Sequence, residues 1–479
     1  MVFFILAVGL TKSTAFFLGA THMAQIARKQ NFVERYNDIW QLAYPNIVTM
    51  MLHNVMSIID TIMVSQVSMA ALAGVSLAQL VLATLFYLYR GVAEGVLTFS
   101  AQYTGAKRDH HCGPVAWQGL YIGVGIGALI LLVIPLVQPL FEVMKPSEAA
   151  MGPGIAYLRI ALIGGSVGAL TLILSYFLRG LGDSKTPMRI AVLGNGVNVV
   201  GNYLLIFGHA GFPRLGVVGA AISTSIAECL VLVLLLRVFW SAKIDARYAT
   251  RRWAQAQGQE MRRLAKLAFP LSLQGLFDVG SFTLFTVMIG RMGTAQLALS
   301  HIVLRLIVFA FLPVQGLAVA AATLVGQHLG AQQPARAAAS GRYAIHLGVV
   351  YMGGLGLLFI CMPQVLLGLF TRDDQVVGMG VWLLRLLGAI QIFDALYWVC
   401  SGVLKGAGDT RWILVVSGIY NWLVFLPLAF VLGVALGWGV FGAWVGFAVM
   451  VLLQGGTFWW RFHQGRWQAL SILSPDHGA

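Results

Sequence analysis

Charge is scarce in this chain. Only 10% of its 479 residues are Asp, Glu, Lys or Arg, against about 25% in soluble globular domains. That excludes an ordinary soluble enzyme. With 59% of residues hydrophobic, it also excludes a disordered chain, which lacks the apolar surface to collapse. Cysteine is rare too. Cys112, Cys229, Cys361 and Cys400 stand far apart with no CxxC spacing, so neither a disulfide framework nor a zinc site is indicated. HExxH and GxxxxGK[ST] are both absent, which argues against a metalloprotease and against ATP-driven transport by this chain alone. Segments of about ten alternating residues, the mark of a membrane β-barrel, are missing as well.

What is present is long apolar runs, and mean hydropathy is +0.82. Runs of about 20 residues cross a hydrocarbon core of about 30 Å as helices. The runs predict an all-α polytopic membrane protein with spans at 40–64, 77–101, 115–138, 153–176, 187–208, 215–240, 267–290, 299–326, 341–367, 380–403, 412–433 and 438–461. The net charge is +14. Its basic residues gather in alternate connections, among them Lys107, Arg108, Arg179, Lys185, Arg336, Lys405 and Arg411. The opposite set holds little beyond Lys145, Arg214, Arg291 and Arg372. This is the positive-inside pattern, not a nucleic-acid surface, and it predicts an inner-membrane protein with both termini cytoplasmic. Residues 1–22 lack the basic lead of a signal peptide. They are read as an upstream extension, with Met23 as an alternative start.

The chain also repeats itself. Leu42-Ala43-Tyr44-Pro45 returns as Leu267-Ala268-Phe269-Pro270, an offset of 225. Gln102, Gly105 and Ala106 match Gln327, Gly330 and Ala331 at the same offset. Leu178-Arg179-Gly180 with Gly182-Asp183 matches Leu404-Lys405-Gly406 with Gly408-Asp409 at 226, and Gly216-Val217 matches Gly439-Val440 at 223. Six spans per repeat bring the second copy in with the orientation of the first. The expected architecture is two six-helix bundles related by an axis along the membrane normal. Residues 1–39 lead in, 40–240 form the first lobe, 241–266 a basic cytoplasmic linker, 267–461 the second lobe and 462–479 a tail. The linker is either a solvated connection or an amphipathic helix on the headgroups.

Ionisable residues inside spans are costly and mark functional sites. Asp60 lies toward the outer end of span 1, Asp278 mid-span 7 and Asp394 mid-span 10. Arg305 follows His301 by one turn in span 8, and Glu228 and Arg159 also fall within spans. Arg90 and Glu94 are four apart and share a helix face. A desolvated carboxylate can carry a proton, or with neighbouring oxygens hold Na+. If Asp278 and Asp394 meet, they form one site, and Arg305 nearby would act as a tethered cation. The alternative is a salt-bridge network that only fixes packing. Asn195, Asn198 and Asn202 share one face of span 5 and suit interhelical hydrogen bonds or a substrate path, with Thr224 on span 6 a further candidate. His53, His301 and His346 are read as packing residues. The two Gly-rich turns at 180–183 and 406–409 are read as tight helix connections.

The ordered set Ala43-Tyr44-Pro45, Asp60-Thr61-Ile62-Met63, Gln102 with Gly105-Ala106, Leu178-Arg179-Gly180-Leu181-Gly182-Asp183, Asn198 with Asn202, and Gly216-Val217-Val218-Gly219-Ala220-Ala221 resembles the multidrug and toxic compound extrusion (MATE) transporters. The resemblance covers about 40 to 461 and lies nearest the NorM-like branch. It implies a carrier, not an enzyme: an antiporter that expels organic cations in exchange for Na+ or H+, with no other cofactor. Asp278 and Asp394 look like the NorM-like coupling positions, where Na+ would sit, and Asp60 like the span-1 Asp used in other branches. Span 7 carries Asp where NorM-like members often carry Glu, and Asn202 stands where some archaeal-type members have Asp. The partners expected are small organic cations and the bilayer, with no nucleic acid and a monomeric chain. The competing reading is a flippase for a lipid-linked or polyanionic precursor, kept open by Arg90, Arg159, Arg305 and Arg385. An intramembrane prenyl transferase would need paired Asp-rich loops, and Arg372-Asp373-Asp374 alone is not such a pair.

Overall fold

The computed structural model describes residues 20–252, 256–371, 373–470, 472 and 473, with side chains from Tyr36 on except at 374 and 375. The expectation for residues 1–22 lies outside the described residues up to residue 19. Among the described residues there is no strand. Among the described residues, twelve helices are long and apolar enough to cross a membrane: α1 Tyr36–Ser65, α2 Met69–Gly105, α3 Asp109–Met144, α4 Glu148–Gly180, α5 Lys185–Phe207, α6 Val217–Phe239, α7 Gly258–Gly290, α8 Thr294–Gly330, α9 Pro334–Cys361, α10 Val376–Ala407, α11 Thr410–Ala435 and α12 Gly439–Gln464.

In the first six, α4 packs on α2, α3 and α6, while α5 joins α6 to α1. The second six repeat this around α10, which packs on α8, α9 and α12, while α11 joins α12 to α7. The two groups meet where α7 crosses α2 and α8 crosses α1 and α2. Pro45 and Pro270 lie inside helices of the two groups, which membrane helices tolerate when neighbours pack around them.

The linker is partly helical and packs against the first lobe. It forms the short helix Ala242–Tyr248, and α7 already starts at Gly258. Tyr248 and Thr250 are buried. Trp117 donates to the Thr250 carbonyl at 3.0 Å, and Arg247 pairs with Asp109 at 2.7 Å. The segment is therefore clamped onto the end of α3. Arg251 donates to the Trp240 carbonyl at 2.8 Å, while Lys243 and Arg252 are exposed.

The Gly-rich turns end α4 and α10 with Gly182 at φ 92° and Gly408 at φ 88°, a left-handed geometry that costs glycine nothing. At the same end of the molecule α2 and α8 touch backbone to backbone. A Cβ on Gly105 would stand 1.8 Å from the Gln327 carbonyl oxygen, and one on Gly330 would stand 1.9 Å from that of Gln102. Only hydrogen fits at either position.

Four interlobe hydrogen bonds surround this contact. Thr98 donates to the Lys405 carbonyl and Gln102 to that of Gly406, both at 3.0 Å. Their repeat mates reciprocate: Thr323 donates to the Arg179 carbonyl at 3.3 Å and Gln327 to that of Gly180 at 3.1 Å. Every residue of α2 from Gly91 to Tyr103 is buried, whereas none from Gln79 to Leu88 is. In α8, Gly316–Thr323 are all buried, whereas none of Leu304–Phe309 is. The lobes are sealed at the side carrying the basic connections and part toward the other side.

Candidate functional site

A cavity of about 300 Å³ lies between the lobes, mostly against the second. Asp278 and Asp394 both line it, so α7 and α10 bring the two predicted carboxylates to one chamber. Asn421 donates to Asp278 Oδ1 at 2.6 Å. The Gln274 amide, one turn earlier on α7, reaches Asp278 Oδ2 at 3.5 Å and the Tyr397 hydroxyl at 3.2 Å. Around Asn421 the α11 helix is wound in π-helical turns, Ile419–Phe425 and Val431–Ala435, a winding frequent at functional sites. Tyr87, Phe282, Phe311, Trp398 and Phe447 add aromatic wall, and Phe311 stacks flat on Trp398 with centroids 5.5 Å apart. Such faces attract organic cations.

The floor is ionic. Arg90 Nε lies 3.1 Å from Glu94 Oε1, the pair expected from their spacing. Lys405 Nζ reaches Glu94 Oε2 at 3.0 Å. Glu94 on α2 therefore joins the two lobes by charge. The sequence reading counted Lys405 among the connections. It belongs instead to the last turn of α10, which runs on to Ala407 inside the sealed contact. The cavity holds three carboxylates, Glu94, Asp278 and Asp394, against two cations, Arg90 and Lys405.

Arg305 is not part of this site: it is exposed and does not line the cavity. Leu304, Ile307, Val308 and Phe311 face the chamber. A residue next to Leu304 is turned about 100° away on a helix of 3.6 residues per turn. Arg159 is likewise exposed, and Arg385 lies over the Trp382 ring. His53 and His301 are exposed, and His346 Nδ1 meets the Tyr36 hydroxyl at 2.8 Å.

The remaining predicted residues assemble inside the first lobe. Asn202 donates to Asp60 Oδ1 at 2.5 Å and to Asn198 Oδ1 at 3.1 Å. Asn198 donates to the Thr224 hydroxyl at 3.0 Å. With its amide reversed, Asn198 donates to Asp60 directly at 3.2 Å. Asn198 and Asn202 are buried. Asn195 is half-buried and stands outside this chain of bonds.

Each lobe thus ties its first helix to its fifth through a carboxylate and an amide. The positions are not equivalent. Asn421 matches Asn195 at the offset of 226 that holds before these helices and Asn198 at the offset of 223 that holds after them, but the mate of Asp278 at offset 225 is His53. Asp60 lies seven residues further along its helix than the mate of Asp278, about 10 Å at 1.5 Å per residue. Sequence reasoning missed Asn421, Gln274 and the Glu94–Lys405 bridge. The repeat offset pointed to Asn421. Nothing local marked the other two.

A family model described as MatE matches residues 45–204 and 270–431. Among curated proteins, the chain is 27% identical over 428 residues to a probable multidrug resistance protein NorM of Synechococcus sp., covering 88% of this chain and 92% of that protein. It is 28% identical over 437 residues to the multidrug resistance protein NorM of Burkholderia vietnamiensis, covering 89% and 93%. In fold, it is similar to a multidrug resistance MATE family transporter of the MOP superfamily solved in an outward-facing conformation. The TM-score is 0.84 at 21% identity, over 91% of this chain and 96% of that one. A MOP superfamily transporter from Pyrococcus furiosus, described as having a binding pocket of reverse polarity, gives a TM-score of 0.83 at 21% identity, with the same coverage.

Proposed function

The chain belongs to the MatE family, and from that footing we propose that it is a multidrug efflux transporter of the inner membrane. It exchanges Na+ or H+ for organic cations as its two lobes rock about the cavity. The observation that carries the reading is the interlobe chamber, aromatic-walled, which Asp278 and Asp394 both line and in which three carboxylates stand against two cations. An organic cation and a coupling ion would compete for that charge. A ligand shifts an equilibrium only through unequal affinity for its two states, and competition for one charge supplies the inequality. The positive-inside rule assigns the sealed side to the cytoplasm, so this conformer would release drug outward and admit the ion. The polyanion reading is disfavoured because Arg159, Arg305 and Arg385 stay away from the chamber and its carboxylates outnumber its cations.

The test uses inverted vesicles loaded by respiration with a fluorescent organic cation. Release on adding Na+, or on collapsing ΔpH, is the expected result and names the ion. Accumulation indifferent to both gradients would overturn antiport and favour lipid-linked cargo.

The floor makes a separate prediction. Glu94 neutralises two cations at once, so Glu94→Gln should lower the efflux rate at least tenfold, since removing one member of a buried pair costs about 3–5 kcal/mol. Lys405→Met leaves Glu94 still paired with Arg90 and should cost less. Adding Lys405→Met to Glu94→Gln should recover part of the loss. Strictly additive losses in this double-mutant cycle would mean the two residues act independently.

A further inference from the structure

Glu228 stands at the midpoint of α6, between Val217 and Phe239. No Lys, Arg or His among the described residues comes within ion-pair distance of it. A carboxylate at mid-membrane depth with no cationic partner is expensive to keep and marks a functional site. The groups facing it are Tyr89 from α2 and Thr171 from α4. Opposite it, α4 carries Gly168. A Cβ there would stand 3.7 Å from Glu228 Oε2 and 4.0 Å from the Tyr89 hydroxyl, with nothing nearer. Glycine there leaves a small hollow, no wider than a methyl group, within van der Waals reach of the carboxylate.

The repeat gives this hollow its meaning. At the α4-to-α10 offset of 226, Gly168 pairs with Asp394 and Thr171 with Tyr397. At the α6-to-α12 offset of 223, Glu228 pairs with Val451, which lines the second lobe's cavity beside Asp394 and Tyr397. In the second lobe the tenth helix bears the acid and the twelfth an apolar residue. In the first lobe the fourth helix bears glycine and the sixth the acid. The carboxylate occupies a matching place but is borne by the partner helix. Thr224, which bonds to the Asn198, Asn202 and Asp60 chain, stands one turn before Glu228 on the same face of α6.

We propose that Glu228, with Tyr89 and the Gly168 hollow, is a monovalent-cation site of the first lobe, taking the same coupling ion as the second. For its part in turnover the inference rests on the transport reading above, but cation binding can be measured without transport. The experiment is infrared difference spectroscopy on the purified full chain, with Na+ against choline and in a separate arm across a pH step. A protonated-carboxyl band should respond, and its Glu228 component should be missing from Glu228→Gln. A response to Na+ at fixed pH identifies Na+ as a ligand, and a response to pH alone identifies the proton. Glu228→Val with Gly168→Asp moves the acid to the α4 position, as in the second lobe, and should restore the missing component. A Glu228→Gln spectrum identical to that of the unaltered chain overturns the proposal. So does a monodisperse Glu228→Val/Gly168→Asp protein with no restored band, because the role would then be packing. If the band responds while vesicles show no ion-driven efflux, the site stands and the transport reading falls.

Discussion

Asp278→Asn is expected to abolish ion-driven efflux while leaving the protein folded. The substitution keeps the shape of the side chain and an oxygen for the Asn421 amide, which now donates at 2.6 Å. What it removes is the negative charge. A unit charge about 4 Å from a cation is worth about 4 kcal/mol at an effective dielectric of 20, and each 1.4 kcal/mol is about tenfold in affinity. Efflux in proteoliposomes should fall by at least a hundredfold, with the thermal midpoint moved by no more than a few degrees. Asp60→Asn should cost much less for chamber-bound cations, because Asp60 does not line the chamber. Equal efflux by Asp278→Asn and the unaltered chain would remove this carboxylate from the coupling scheme.

Gly105→Ala carries the second large effect, and Gly330→Ala should reproduce it. A methyl at either position would overlap a carbonyl oxygen at under 2 Å. The neighbour is backbone, so the two helix ends must separate. Overpacking of this kind costs about 1–3 kcal/mol, which shifts a two-state population by roughly 5- to 150-fold. The cost falls only on the conformer in which α2 and α8 touch. Cysteines introduced near the Gln102 and Gln327 contact should therefore become more reactive toward a water-soluble thiol reagent. Efflux should fall about tenfold or more, because one of the two states is depleted. A fall in thermal stability with unchanged reactivity would mean that α2 and α8 stay in contact in both states.

These two residues differ in how far the sequence foretold them. Asp278 was legible as a candidate because a carboxylate in an apolar run is costly to keep, and the structure sets it on the chamber wall. Asp60 was legible as an ionisable residue within a span, and Asn198 and Asn202 because their spacing placed them on one helix face, which the packing then turned toward Asp60 and Thr224. Gly105 was visible only as a repeated residue, and its partner became clear once α2 and α8 crossed. Arg305 misled because position along a helix does not fix which way a side chain turns, and one residue separates the Leu304 face from its own. Lys405 misled for a related reason. A basic residue at a span's end counts toward orientation whether it faces water or is buried against Glu94. Hydropathy likewise placed the start of α7 at 267, though its helix begins with the polar turns after Gly258.

The clasp that seals the lobes carries a record of ancestry. Each half of the chain owns both complements of the interaction. The first half holds the donors Thr98 and Gln102 and the acceptor carbonyls of Arg179 and Gly180, and the second half holds their counterparts. This is the self-complementary pattern of an isologous dimer, in which one surface meets its own copy across a two-fold axis. Two identical six-helix chains could close the same seam with no new residue, each supplying what the other lacks. A half-length ancestor working as a homodimer would already have possessed the gate. Fusion and later divergence needed only to make the two lobes unequal.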